Sequence, residues 1–123
     1  FLKWALCPPG YLASWHVSVR SSSSSNRLVG FISGVPVTLV VHNQPVRVIQ
    51  INFLCILRAY RDKKLAPILI QEITRRAVVV GVEQAVYTAV NALPGSIGKA
   101  RYYSRPLNAE RLQQSGFEGE VKA

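Results

Sequence analysis

Residues 52–76, NFLCILRAYRDKKLAPILIQEITRR, constrain the fold more than any other stretch, because they set a strand, a basic loop and an amphipathic helix in one continuous segment. Residues 48–57 are nearly all apolar, and Ile49, Ile51, Phe53, Cys55 and Leu57 share one parity. That pattern predicts a strand buried between layers. Arg58, Arg61, Lys63 and Lys64 then place four cations in a short loop. Beyond it Ala66, Ile70, Ile73, Ala77 and Val80 recur at helical spacing, with Gln71, Glu72, Arg75 and Arg76 between them. This predicts an amphipathic helix over residues 65–80. Pro67 fits its first turn, where a missing amide hydrogen is harmless. A helix start leaves backbone amides unpaired and carries partial positive charge, so a phosphate can dock there while nearby Lys and Arg neutralise it. The order of elements suits a nucleotide-like or pyrophosphate ligand; on composition alone a solvated crossover loop is the more usual reading.

The chain's 123 residues suffice for one domain with a real core and are too few for two of ordinary size. A single, partial domain over residues 1–123 is expected. Hydrophobic residues make up 49% against 17% charged, which argues for a folded domain. The formal charge of +9 favours a polyanionic partner: nucleic acid, an acidic membrane surface or a phosphorylated cofactor. The cations concentrate locally, at residues 58–64 and at Arg75 and Arg76, which fits a local site better than a nucleic-acid groove. Cys55, in an apolar strand, is expected to be a small buried thiol. With Cys7 the only other cysteine, no CxxC, and His16 and His42 in separate segments, neither a disulfide framework nor a metal site is expected. Each histidine is assigned a surface or packing role. No apolar run approaches the length of a spanning helix, and Pro8 and Pro9 come too early for a signal peptide, so a soluble, reducing, cytoplasmic setting is expected. The first residues, FLKWAL, read as a helix already under way and suggest a fragment of something longer.

Along the chain, Trp15, Val17 and Val19 alternate with His16, Ser18 and Arg20, predicting a half-exposed strand. The serine-rich run 21–26 reads as a hairpin loop. A second strand over 28–33 and a third over 37–41 flank Gly34 and Pro36, and a turn over 42–45 feeds the long apolar strand. Such short connections predict antiparallel neighbours. After the helix and Gly81, QAVYTA (84–89) reads as a strand parallel to its predecessor through a right-handed crossover. A loop with Pro94, Gly95 and Gly98 precedes a last helix over 108–115, capped by Asn108 and ended by Gly116. The sum is an α+β domain with helices flanking a mixed, mostly antiparallel sheet.

INFLC followed by RDKKLAPILIQEITRR, with FLKWALCPPGYLASWHVSVR upstream and QAVYTA, RYYSRPLN and GF downstream, resembles the amino-terminal half of eukaryotic glycylpeptide N-myristoyltransferases, acyltransferases of the GNAT superfamily. The similarity runs from Phe1 to about Phe117. It implies a GNAT-like fold and transfer of a tetradecanoyl group from myristoyl-CoA, the acyl donor, to the amine of an amino-terminal glycine, with no metal. It further implies that the backbone amides of Phe53 and Leu54 form the oxyanion hole, where fixed donors face developing negative charge. Cys55 and Ile56 would continue the acyl-CoA wall. Lys64, Leu65 and Ala66 would hold pyrophosphate and pantetheine, with Arg61, Asp62, Lys63 and Pro67 in the same loop and helix start. Thr88 falls where the family meets its peptide substrate.

Some residues depart from the family pattern. Asp62 beside the helix start is expected to cap it or to repel phosphate. Gln50 replaces a usual glutamate, Leu57 a usual histidine, and Asn91 a usual apolar residue; the tail GEVKA has no match. The family's upstream acyl-CoA segment and its carboxy-terminal half, with the terminal carboxylate that acts as base, are absent from the sequence. The chain alone is therefore expected to bind the donor without turnover, and the full-length protein to be monomeric. Two other readings stay open: another GNAT acyltransferase using a short acyl donor such as acetyl-CoA, and a non-catalytic basic module. Nucleic acid is not the expected partner, since Tyr102 and Tyr103 beside Arg101 form the one interleaved aromatic cluster.

Overall fold

The computed structural model describes residues 1–23, 25–89 and 95–116; Asn91, Pro94, Phe117 and the GEVKA tail lie outside them. The chain divides into two compact units, Phe1–Thr88 and Ala89–Ala123. In the first, α1 (Leu2–Leu6) and a 3-10 turn (Ala13–Trp15) lead into β1 (His16–Arg20), β2 (Leu28–Val41) and β3 (Gln44–Ile56). A second 3-10 turn (Arg58–Lys63), α2 (Leu65–Val79) and β4 (Ala85–Val86) follow. The sheet order is β1-β2-β3-β4, antiparallel except for the β3–β4 pair. The second unit contributes α3 (Ala109–Gln114), whose Asn108 cap accepts a hydrogen bond from the Arg111 amide at 2.9 Å. Gly116, at φ 79°, follows it in the left-handed conformation that ends helices.

α2 lies against the sheet through Leu69, Ile73 and Ala77, which join Trp15, Val17, Ile32, Ile49 and Val82 in one core. The buried stripe therefore runs through Leu69, which the sequence periodicity passed over. Ile70 and Val80, expected to be inward, are instead 46% and 47% exposed. Trp15 belongs to the 3-10 turn rather than to β1, yet it is fully buried. His16 stacks on Tyr11 with ring centroids 5.9 Å apart, a packing role as expected.

The two strands expected over 28–33 and 37–41 are one. Gly34 makes no turn; it lets β3 and α2 approach, since a Cβ there would come within 2.6 Å of Ile49 Cγ1 and 3.2 Å of Ile73 Cδ1. Pro36 pairs with Ile49, whose amide donates away from β2 to Gln84 O at 3.0 Å. Pro36 is thus in a non-hydrogen-bonded pair, and its absent N–H falls on the side that β1, ending opposite Ser33, does not reach. Pro45, opposite Val40, has the same parity, so only His42 and Asn43, at φ 48° and 62°, form the turn. Gly34→Ala should lower stability by about 1–3 kcal/mol through overpacking. In urea unfolding, Ile49→Val should restore part of that loss in the double variant, and full additivity of the two changes would count against the close approach.

Candidate functional site

The strand alternation predicted for residues 49–57 breaks at Phe53. Ladder partners pass from Ser33–Asn52 to Phe31–Cys55, so Phe53 and Leu54 together stand opposite Ile32 in a β-bulge. Phe53 adopts φ 54°, a left-handed conformation uncommon for a bulky residue. The extra residue inverts the parity of all that follows. Ile49 and Ile51 face the core before the bulge; Ile56 packs against it afterwards, and Cys55 is turned outward. The buried thiol expected at Cys55 is thus corrected to an exposed one, because the parity argument assumed an unbroken strand.

Beside the bulge the sheet opens. β3 and β4 pair only at Ile49–Ala85 and Gln50–Val86, while β3 continues to Ile56. The strand expected over 84–89 is accordingly two residues long, and Thr88 lies beyond its end. A groove of about 660 Å³ occupies the opening, within the size range of small-molecule sites. Asn52, Phe53 and Leu54 line it from β3, Ile70 and Thr74 from α2, and Tyr87 and Thr88 from the segment after β4. Its lining is mostly apolar. Phe53, Leu54 and Thr88 thus line one groove; Ile70, Thr74 and Tyr87, which line it too, were not among the residues singled out from the sequence, although Ile70 and Thr74 share a helix face at i, i+4.

The basic loop is ordered as a 3-10 turn between the end of β3 and α2. Arg61 Nε donates to Ile56 O at 3.4 Å, and Lys63 Nζ sits 4.7 Å over the Tyr60 ring. Lys64, at φ 56° and ψ 28°, occupies the position before α2 and supplies no side-chain cap. Asp62 does not cap the helix either, and no acidic residue enters its first turn. The amides of Leu65 and Ala66 thus begin a fifteen-residue helix without a side-chain acceptor, next to exposed Lys63 and Lys64. Pro67 follows in that first turn without an amide hydrogen.

The second concentration of cations is neutralised internally. Glu72 accepts two hydrogen bonds from Arg75 at 2.9 Å and one from Arg76 at 2.6 Å. The Arg75 contacts first, and those of Arg76 second, draw its carboxyl down to about 2. Arg76 also donates to Ser14 O at 2.8 Å, tying α2 to the 3-10 turn before β1. Arg75 and Arg76 are thus engaged in holding structure, which leaves residues 58–64 as the cationic end of this unit's groove-bearing segment. Among the described residues no group of three His, Cys, Asp or Glu side chains is placed to hold a metal, and no helix is long and apolar enough to cross a membrane.

The family model described as "Myristoyl-CoA:protein N-myristoyltransferase, N-terminal domain" matches residues 1–100. A glycylpeptide N-tetradecanoyltransferase of Emericella nidulans is 50% identical over 127 aligned residues, covering 100% of this chain and 26% of that protein. The crystal structure of Saccharomyces cerevisiae N-myristoyltransferase with bound myristoyl-CoA superposes with a TM-score of 0.84 at 44% identity, over 97% of this chain and 28% of that chain. A Trypanosoma brucei acetyltransferase, 18% identical over 76% of this chain and 70% of its own, shares the fold at a TM-score of 0.54. The chain spans about a quarter of the length of the N-myristoyltransferases it matches. With the bulge, the open β3–β4 groove and the ordered sequence blocks in place, the chain belongs to the myristoyl-CoA:protein N-myristoyltransferase family and corresponds to part of its N-terminal domain.

Proposed function

We propose that this chain forms the acyl-donor site of an N-myristoyltransferase, binding myristoyl-CoA for transfer of its tetradecanoyl group to the amine of an amino-terminal glycine. The carrying observation is the bulge at Phe53 and Leu54 on the rim of an apolar groove, with the uncapped start of α2 following the same strand. In the reaction, the glycine nitrogen attacks the thioester carbonyl carbon, the C–S bond breaks, an amide forms, and CoA leaves as its thiol with the proton lost by the amine. The amides of Phe53 and Leu54 would stabilise the negative charge that develops on the carbonyl oxygen. Ile56 and the outward Cys55 would continue the wall. The amides of Leu65 and Ala66 would receive the pyrophosphate and pantetheine, with Lys64, Lys63 and Arg61 supplying charge; Asp62 lowers the net charge of the loop, and Pro67 holds the first turn. Thr88 would meet the peptide. Two exposed, unpaired thiols suit a reducing cytoplasm, where the full-length protein would act as a monomer on proteins beginning with glycine.

Equilibrium binding to the 123-residue chain tests the reading. Myristoyl-CoA should bind at least about tenfold more tightly than acetyl-CoA, because the longer chain places more apolar surface in the groove. Equal affinities would favour a short-chain acyltransferase. Salt-sensitive nucleic-acid binding with no CoA binding would favour a basic module and overturn the proposal.

A further inference from the structure

Among the described residues Ser33 is the one buried polar side chain, fully enclosed in the middle of β2. Packing alone gives no reason for a hydroxyl there, since Ala or Val would fill such a strand position without a polar group to satisfy. Its Oγ donates to Asn52 O at 3.0 Å. That carbonyl belongs to the peptide unit joining Asn52 to Phe53, the last unit before the bulge. In a trans peptide the C=O and N–H point in opposite directions. With Asn52 O directed at β2, the Phe53 N–H is directed away from β2, toward the side on which Ile49 reaches β4 and on which the groove opens.

We infer that Ser33 is a positioning residue for acyl transfer: its hydroxyl fixes the Asn52–Phe53 peptide plane, aims the Phe53 amide at the thioester carbonyl and strengthens that amide as a donor. The inference rests on the oxyanion reading of Phe53. Two physical effects carry it. A donor bound to a peptide oxygen polarises the unit and makes the N–H at its other end a better donor, as in any hydrogen-bonded chain. The same bond adds a side-chain anchor, immediately before the left-handed residue, to a carbonyl that the Ser33–Asn52 ladder pair already turns toward β2. Ser33 touches no substrate, so its effect is exerted wholly through Phe53.

Two measurements on the 123-residue chain separate this inference from the reading beneath it. In the ligand-free chain, Ser33→Ala should move the Phe53 amide proton resonance upfield, and Ser33→Cys, which keeps the shape and a weaker donor, should move it less. An unmoved Phe53 amide in Ser33→Ala overturns the assignment. Should the alanine variant fail to fold, an unmoved amide in Ser33→Cys overturns it as well. In the second arm, infrared difference spectra are taken with myristoyl-CoA labelled with carbon-13 at the thioester carbonyl. Binding to the unaltered chain should lower the carbonyl stretching frequency, Ser33→Ala should return it part of the way, and affinity should fall about threefold. A band at its free frequency in the unaltered chain sinks the oxyanion role of Phe53. A lowered band that Ser33→Ala leaves in place sinks the role of Ser33 alone.

Discussion

Lys64→Glu should weaken myristoyl-CoA binding by about 10- to 100-fold, the scale of losing one or two charge-assisted hydrogen bonds to phosphate and gaining repulsion. Arg111→Glu, at an exposed residue of α3 that is not among the proposed donor-site residues, should change it by less than about twofold, since an exposed charge is screened by salt. The contrast follows from what surrounds Lys64. It directly precedes α2, no side chain caps that helix, and no acidic residue lies in the first turn. The helix start therefore offers Leu65 and Ala66 amides and partial positive charge with a lysine at the threshold. Lys64→Gly separates charge from conformation. Glycine accepts φ 56° without strain, so it should keep the backbone cradle, lose only the charge, and bind between the parent and Lys64→Glu. Isothermal titration at low and moderate salt checks all three. Equal losses for Lys64→Glu and Arg111→Glu would remove the case for a localised phosphate site.

How far such a site can be read from sequence depends on which residues announce their geometry. The strand, basic loop, helix and parallel strand over residues 48–86 were legible because hydrophobic periodicity changes from one element to the next. The cap at Asn108 and the stop at Gly116 were legible because those residue types favour those conformations. The bulge was not. Phe53 occupies a left-handed position without being Gly or Asn, so nothing in NFLC signals a break, and the exposed Cys55 beyond it follows from that silent inversion. Gly34 and Pro36 misled in the opposite sense. They read as turn residues, whereas Gly34 serves a close approach, and Pro36 sits where the strand needs no donor. The roles proposed for the Phe53 and Leu54 backbones rest on family resemblance, since no side-chain pattern points to them.

The sharpest consequence for packing is at two adjacent residues of α2. Leu69 is fully buried, with Cδ1 over Gly30, where an added Cβ would stand 3.2 Å away; Ile70 is 46% exposed and lines the groove. Leu69→Ala should therefore cost about 2–5 kcal/mol of stability, the range for emptying a core leucine site. Ile70→Ala should cost less than about 1 kcal/mol, because much of its surface already faces water. Ligand binding should be disturbed in the reverse order. Ile70→Ala removes apolar wall from the groove and should weaken myristoyl-CoA while leaving acetyl-CoA nearly unchanged, since a two-carbon acyl group gains little from that wall. Urea unfolding gives the first comparison and titration of the two thioesters the second, at denaturant-free conditions where both variants are folded. If Ile70→Ala destabilised as much as Leu69→Ala, the helix would be rotated toward the face that periodicity alone suggested. In that case Ile70 would belong to the core and the groove would lose its α2 wall.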